Sequence, residues 1–277
     1  MNVKIVADSS ANLPALAGIA YASVPLKILA GEQEYVDNAI LDTEQMVRDL
    51  EAYQGRSGTA CPSVGEWLEA FGDADYVFTI AITSNLSGSH NAAVQAKDMY
   101  EELHPDRHVC CLDSLSTGPE MVLVAEKLVE LLDAGLDFET VEAQVREYMK
   151  KTHLLFSLES MDNLAKNGRV SKVAAKAAGI LGIRVVGKAS EQGTLEPLSK
   201  VRGDKKALNE IVRIMKELGW NGGRVRIAHN ENAAMADSLA AALRAVHDKL
   251  DVAIERCRGL CSYYAEKGGL LVGFEGA

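Results

Sequence analysis

The chain has 277 residues and a formal charge of −10, and 48 % of its residues are apolar. That length and apolar content can fill two cores of ordinary size, which excludes a disordered or fibrous chain. The acidic balance argues against a nucleic-acid binder, because phosphates require a basic face.

The start, "MNVKIVADSS", enters an apolar alternation with no basic stretch leading into a long apolar run. No apolar run approaches ~20 residues either, since "MVLVAEKLVELL" is broken by Glu126, Lys127 and Glu130. A cytoplasmic protein without a transmembrane segment is expected. The five cysteines are odd in number and irregularly spaced, which is no disulfide framework. Cys257 and Cys261 are separated by three residues with no second pair to complete a zinc site, so no metal is expected.

In chain order, the first half reads as strand, polar turn and helix, repeated. "VKIVA" leads into "DSSANLPALA", "YVFTIAI" into "TSNLSGSHNAAVQAKDMYEEL", and "HVCCL" into "DSLSTGPEMVLVAEKLVELL". Continuous apolar strands followed by helices imply a parallel sheet covered on both faces. Between the first two units, "GTACPSVGEWLEAF" places Glu66 three residues after Ser63, the spacing of a capping box that starts a helix.

From "HLLFSLES" onward the rhythm changes. "MDNLAKNGRVSKVAAKAAGIL" reads as one or two short helices, and "IRVVGKASEQGTLEPLSKVRG" as two strands joined at Gln192-Gly193 in a hairpin. Helix "DKKALNEIVRIMKEL", strand "RVRIAHN", helix "ENAAMADSLAAALRAVHDKL" and strands "VAIERCR" and "GLLVGFE" complete the chain. The expected fold is therefore α/β in two domains: a parallel sheet in residues 1–153, and a mixed sheet with helices in 154–277.

Charge is unevenly spread. Between Lys166 and Lys206 ten basic residues face three acidic ones, a segment of +7 in a chain whose remainder is −17. It reads either as a solvated face or as a docking surface for an acidic partner.

In open sheets of this type the ligand crevice lies beyond the carboxyl ends of the strands. The turns expected there carry hydroxyls: Ser9 and Ser10, Thr83 to Ser89, Ser114 to Thr117, joined by Thr59 in the capping turn. Helix N-termini add free N–H groups and partial positive charge. Together they describe a site for one anionic, oxygen-bearing group, although Ser before a helix also serves simply as an N-cap. No Walker A, Gly-x-Gly-x-x-Gly or Gly-x-Ser-x-Gly pattern occurs. A serine hydrolase using one of these hydroxyls with His90 or His229 as base is the alternative, and a lipid-sensing interaction protein a third.

An ordered set of motifs then carries a resemblance along nearly the whole chain. "ADSSANL", "TACPS", "ITSNLSGSHNAA", "LDS", "LAKNGRVSK", "VRGDKKAL" and the ending "GGLLVGFE" resemble the DegV family of bacterial fatty-acid-binding proteins. The resemblance implies a Rossmann-like N-terminal domain and a long-chain fatty acid held between two domains, without a further cofactor. It also implies no catalysis by the chain itself. Members of the family include the B subunit of bacterial fatty acid kinase, which presents the carboxylate to a separate ATP-binding subunit that makes the acyl phosphate for phospholipid synthesis. By the resemblance, Thr59, Thr83 and Ser84 bind the carboxylate, Arg169 lies near the pocket entrance, and Arg202 docks the kinase subunit; Lys205 and Lys206, at the turn entering the next helix in the basic segment, are expected to dock with it. The family's C-terminal His-x-Gly-Pro-Gly is replaced here by "AEKGG", which puts Ala265 where the His would stand. That departure bears on competence for acyl phosphorylation rather than on the fold.

Overall fold

The computed structural model describes residues 2–171 and 182–277, and the helix expected over "SKVAAKAAGIL" lies largely outside them. Strands β1 (Val3–Asp8), β2 (Ala20–Val24), β6 (Tyr76–Ala81) and β7 (His108–Asp113) form a sheet in the order β2-β1-β6-β7. All three pairings in it are parallel. Five of the six residues of β6 are buried, as a strand covered on both faces requires. Helices α1 (Thr43–Ala52), α2 (Val64–Phe71), α3 (Ser89–Leu103), α4 (Pro119–Asp133) and α5 (Phe138–Met149) complete the first half. Trp67 and Phe71 of α2 and Ala93 and Ala96 of α3 pack with Val6 and Val77 in one core, while Met121, Val124 and Leu128 of α4 cover Ile5, Phe78 and Ile80 in another.

The second sheet has six strands: β8 (Thr152–Leu158), β9 (Ile183–Ala189), β10 (Leu195–Arg202), β11 (Val225–His229), β12 (Val252–Arg256) and β13 (Leu270–Glu275). Their order is β10-β9-β8-β13-β11-β12, with only the β11–β12 pairing parallel. The helices Asp204–Glu217 and Ala233–Arg244 bury Ile211, Met215, Leu239 and Leu243 against it. The hairpin expected at Gln192-Gly193 joins β9 to β10, with Gly193 at φ +72. That tip is folded back onto the first half: Asn85 Nδ2 donates to the Gln192 carbonyl at 2.6 Å, and a side chain at Gly193 would overlap Thr83 Oγ1.

Two features depart from the sequence reading. "DSSANLPALA" forms no α-helix. Residues Ser9–Ala11 make a single 3₁₀ turn, ended by Asn12 in the left-handed region, and Asp8 caps it by accepting from Ser10 N. A third, antiparallel sheet is built from β3 (Lys27–Ala30), β4 (Gln33–Val36) and β5 (Ser57–Ala60) in the order β4-β3-β5. Thr59 therefore belongs to strand β5 and not to the capping turn. The capping box itself forms as expected, with Glu66 N donating to Ser63 Oγ at 3.2 Å and Ser63 N to Glu66 Oε2 at 2.7 Å. No helix of the described residues is long and apolar enough to cross a membrane.

Candidate functional site

An apolar cavity of about 310 Å³ lies where the three sheets meet. Its apolar lining is Leu154, Phe156 and Leu158 of β8 with Leu195 of β10 and Leu271 of β13, and Leu26 and Ile82 join them from the first half. Phe156 fits only because residue 187 on the neighbouring strand is glycine, since any side chain there would overlap the ring. The volume falls at the low end of the roughly 300–1,000 Å³ typical of small-molecule sites.

The polar members of the lining are Thr59, Ser87 and Gly88, Thr117, Arg169 and Tyr264. Gly88 is the N-cap of α3, which carries no side-chain cap, so the amino end of a four-turn helix opens at this wall. Unsatisfied N–H groups and the helix dipole favour an anion there. Arg169 Nε donates to the Leu86 carbonyl at 3.1 Å, and its Nη1 donates to the Asn167 carbonyl, which fixes the guanidinium beside the same turn. Thr59 Oγ1 shares a 2.8 Å hydrogen bond with Tyr264 Oη.

Of the residues that the sequence marks for a carboxylate, Thr59 lines the cavity and Thr83 and Ser84 do not. Thr83 is buried beneath the 190–194 hairpin, and its Oγ1 accepts from Asn85 N at 3.3 Å. Ser84 is exposed, and its amide is bound by the Asp113 carboxylate at 3.1 Å. The 83–89 turn thus presents its far end, Ser87-Gly88, to the cavity. Signals for this were present in the sequence, because Gly88 precedes the helical pattern directly, but nothing local says which hydroxyls of a turn point inward. Tyr264 stands in the segment that sequence reading weighed only for its missing His, and Ala265 beside it also lines the cavity.

Other hydroxyls of these turns hold the backbone. Ser9 Oγ accepts from Leu26 N at 2.9 Å, and Ser114 Oγ donates to the Ser116 carbonyl at 3.0 Å. Asp8 is wholly buried and accepts from Ile82 N at 2.9 Å and Ser89 Oγ at 2.6 Å, tying the end of β1 to the end of β6 and the start of α3. Burial raises its carboxyl above the ordinary value, against the lowering effect of these donors. Asp37 does the same for the helix Gly259–Ala265, accepting from Gly259 N at 3.0 Å and Leu260 N at 2.9 Å. That helix carries Cys261, Tyr264 and Ala265 into the cavity wall.

Neither histidine of the hydrolase alternative lines the cavity. His90 faces a groove with Lys97 and Arg146, and His229 Nδ1 accepts from Asn232 N at 3.3 Å. Among the described residues no group of three His, Cys, Asp or Glu side chains is placed to hold a metal ion. In the basic segment, Arg202 at the end of β10 and Lys205 and Lys206 at the start of the following helix are all exposed. Arg184 is not part of that surface: it is buried and pairs with Glu159 and Asp204, both at 2.6 Å. Lys172 and Lys176 lie outside the described residues.

Comparison with known proteins places this architecture. The model of the DegV family, a family described as uncharacterised proteins, matches residues 2–275. A DegV domain-containing protein of Streptococcus pneumoniae is 45 % identical over 279 residues, covering 99 % of each chain. Among solved structures, the Streptococcus pneumoniae fatty acid kinase B3 protein loaded with linoleic acid superposes with a TM-score of 0.98 at 44 % identity, covering 100 % of both chains. A DegV family protein from Eubacterium eligens loaded with heptadecanoic acid gives 0.97 at 44 % identity, over 99 % of this chain and 100 % of that one.

Proposed function

The chain belongs to the DegV family, and from that premise we propose that it binds one long-chain fatty acid, carboxylate at Thr59 and the Ser87-Gly88 turn, and presents it in the cytoplasm to a separate kinase subunit. The observation that carries this reading is the cavity's mixed lining, an apolar wall on β8, β10 and β13 together with hydroxyls, a helix N-terminus and Arg169. The two relatives loaded with linoleic and heptadecanoic acids support it. Residues 1–153 would supply most of the headgroup donors and residues 154–277 most of the acyl-chain wall.

Each end of the ligand has its own energetics. The tail gains about 0.8 kcal/mol per buried CH₂, or on the order of 10 kcal/mol before ordering costs. The carboxylate gains roughly 1.5–3 kcal/mol per hydrogen bond. Apolar walls set the affinity, and the hydroxyls set which end reaches the helix terminus. A grip without full ion pairing suits a headgroup that is handed on. The chain itself transforms nothing; phosphoryl transfer belongs to the ATP-binding subunit.

The protein purified gently from its expression host and extracted with organic solvent should release about one long-chain acid per chain, identified by mass spectrometry. Protein that releases none, and takes up none when delipidated and incubated with oleic acid, contradicts the proposal.

A further inference from the structure

We propose that Tyr264 is a positioning residue for the headgroup: its phenol donates to Thr59 Oγ1, so that the Thr59 proton is aimed into the cavity and the site selects a carboxylate over a neutral headgroup. The inference rests on the reading of the cavity as a fatty-acid site.

The Tyr264 Oη to Thr59 Oγ1 distance is 2.8 Å, and both residues line the cavity. A pair of hydroxyls can point either way, but a phenol is the better donor of the two. Burial raises the Tyr264 phenol above its ordinary value, which keeps it protonated and able to donate. With Thr59 Oγ1 accepting from behind, its own proton is free for a ligand. Ser87, in the lining of the same cavity, has this arrangement already fixed. Its Oγ accepts from Ser89 N at 3.3 Å, and an amide can only donate, so the Ser87 proton is also left for the cavity.

A carboxylate has only acceptors, and bonds to it are roughly twice as strong as neutral ones. Two hydroxyls poised as donors therefore favour it over a fatty alcohol, whose own hydroxyl can donate and tolerates either polarity. The ring of Tyr264 is held in place for this task. It meets Tyr263 edge-on, with centroids 4.8 Å apart at 71°, and Tyr263 Oη bonds Ser57 Oγ at 2.8 Å and Asn167 Nδ2 at 2.9 Å. The two neighbouring tyrosines thus grip alternate residues of β5, Ser57 and Thr59, which share one face of the strand.

The test is a cycle of wild type, Tyr264→Phe, Thr59→Val and the double variant, each delipidated and titrated with oleic acid and with oleyl alcohol. Phenylalanine keeps the ring, so the cavity wall is retained. Tyr264→Phe should weaken oleic acid about tenfold and oleyl alcohol less than about twofold. In the Thr59→Val background it should cost nothing further. Equal losses for acid and alcohol, losses that simply multiply in the double variant, or no loss at all would overturn the role of Tyr264. Wild-type protein that binds no oleic acid would overturn the underlying reading and this inference with it, whereas normal wild-type binding with an unchanged Tyr264→Phe overturns the inference alone.

Discussion

Ser84 and Ser87 stand three residues apart on one turn, yet only Ser87 lines the cavity; the Ser84 amide is engaged by Asp113 and its side chain faces solvent. Ser87→Ala is therefore expected to weaken fatty-acid binding by roughly 1–3 kcal/mol, and Ser84→Ala by less than about 0.5 kcal/mol, in titrations of the delipidated protein. The reverse ranking would return the headgroup to the near end of the turn. The cavity-lining turn was legible in the sequence, because hydroxyls clustered before a helix are a local signal, and Thr59, named mainly by the resemblance, also lines the cavity. The sequence did not rank the hydroxyls, because their direction depends on the hairpin tip at Gln192-Gly193, about a hundred residues away, which closes over Thr83. Tyr264 escaped for a similar reason: its partner Thr59 lies 205 residues earlier.

At the scale of elements, the continuous apolar runs "YVFTIA", "HVCC" and "LLVGF" declare their strands, and the parallel and mixed sheets follow from how those runs alternate with helices. The small sheet was illegible because its strands are four residues long, and "SGTA" carries no apolar alternation. Helix α4 joins the two halves: Thr152 Oγ1 at the start of β8 donates to Glu120 Oε1 at 2.8 Å, in a contact where Glu120 is only 6 % exposed. Burial pushes the Glu120 carboxyl up to about 7, against an ordinary value of 4.5. Between those values the folded state holds a proton that the unfolded chain gives up, so its contribution is fully present below about 4.5 and is lost as the pH rises through about 7. Denaturant melts from pH 4.5 to 8 should show wild type losing on the order of 3 kcal/mol relative to Glu120→Gln. Parallel pH profiles for the two proteins would show that Glu120 ionises no differently when buried.

For the whole molecule, the cavity between the sheets and the exposed basic residues are separate features, and the proposal assigns the first to the lipid and the second to the kinase subunit. Arg202, Lys205 and Lys206 are exposed at the end of β10 and the first turn of the next helix. Charges at the rim of an interface mainly raise the association rate and make it salt-dependent. Arg202→Ala, or Lys205→Glu with Lys206→Glu, should leave lipid content unchanged while slowing capture by a cognate kinase subunit in surface plasmon resonance, with added salt slowing the wild type too. Salt-insensitive capture at equal rates would leave these residues a solvated face. The proposed function turns on one orientation of the ligand, carboxylate at the helix terminus and tail along β8. A crystal structure of the protein with bound oleic acid tests it directly. Carboxylate oxygens are expected within hydrogen-bond distance of Thr59 Oγ1 and the Ser87-Gly88 turn, with the chain running past Leu154, Phe156 and Leu271. An acid bound the other way round, or seated in the outer groove lined by Arg226 and Arg256 with this cavity left empty, would contradict it.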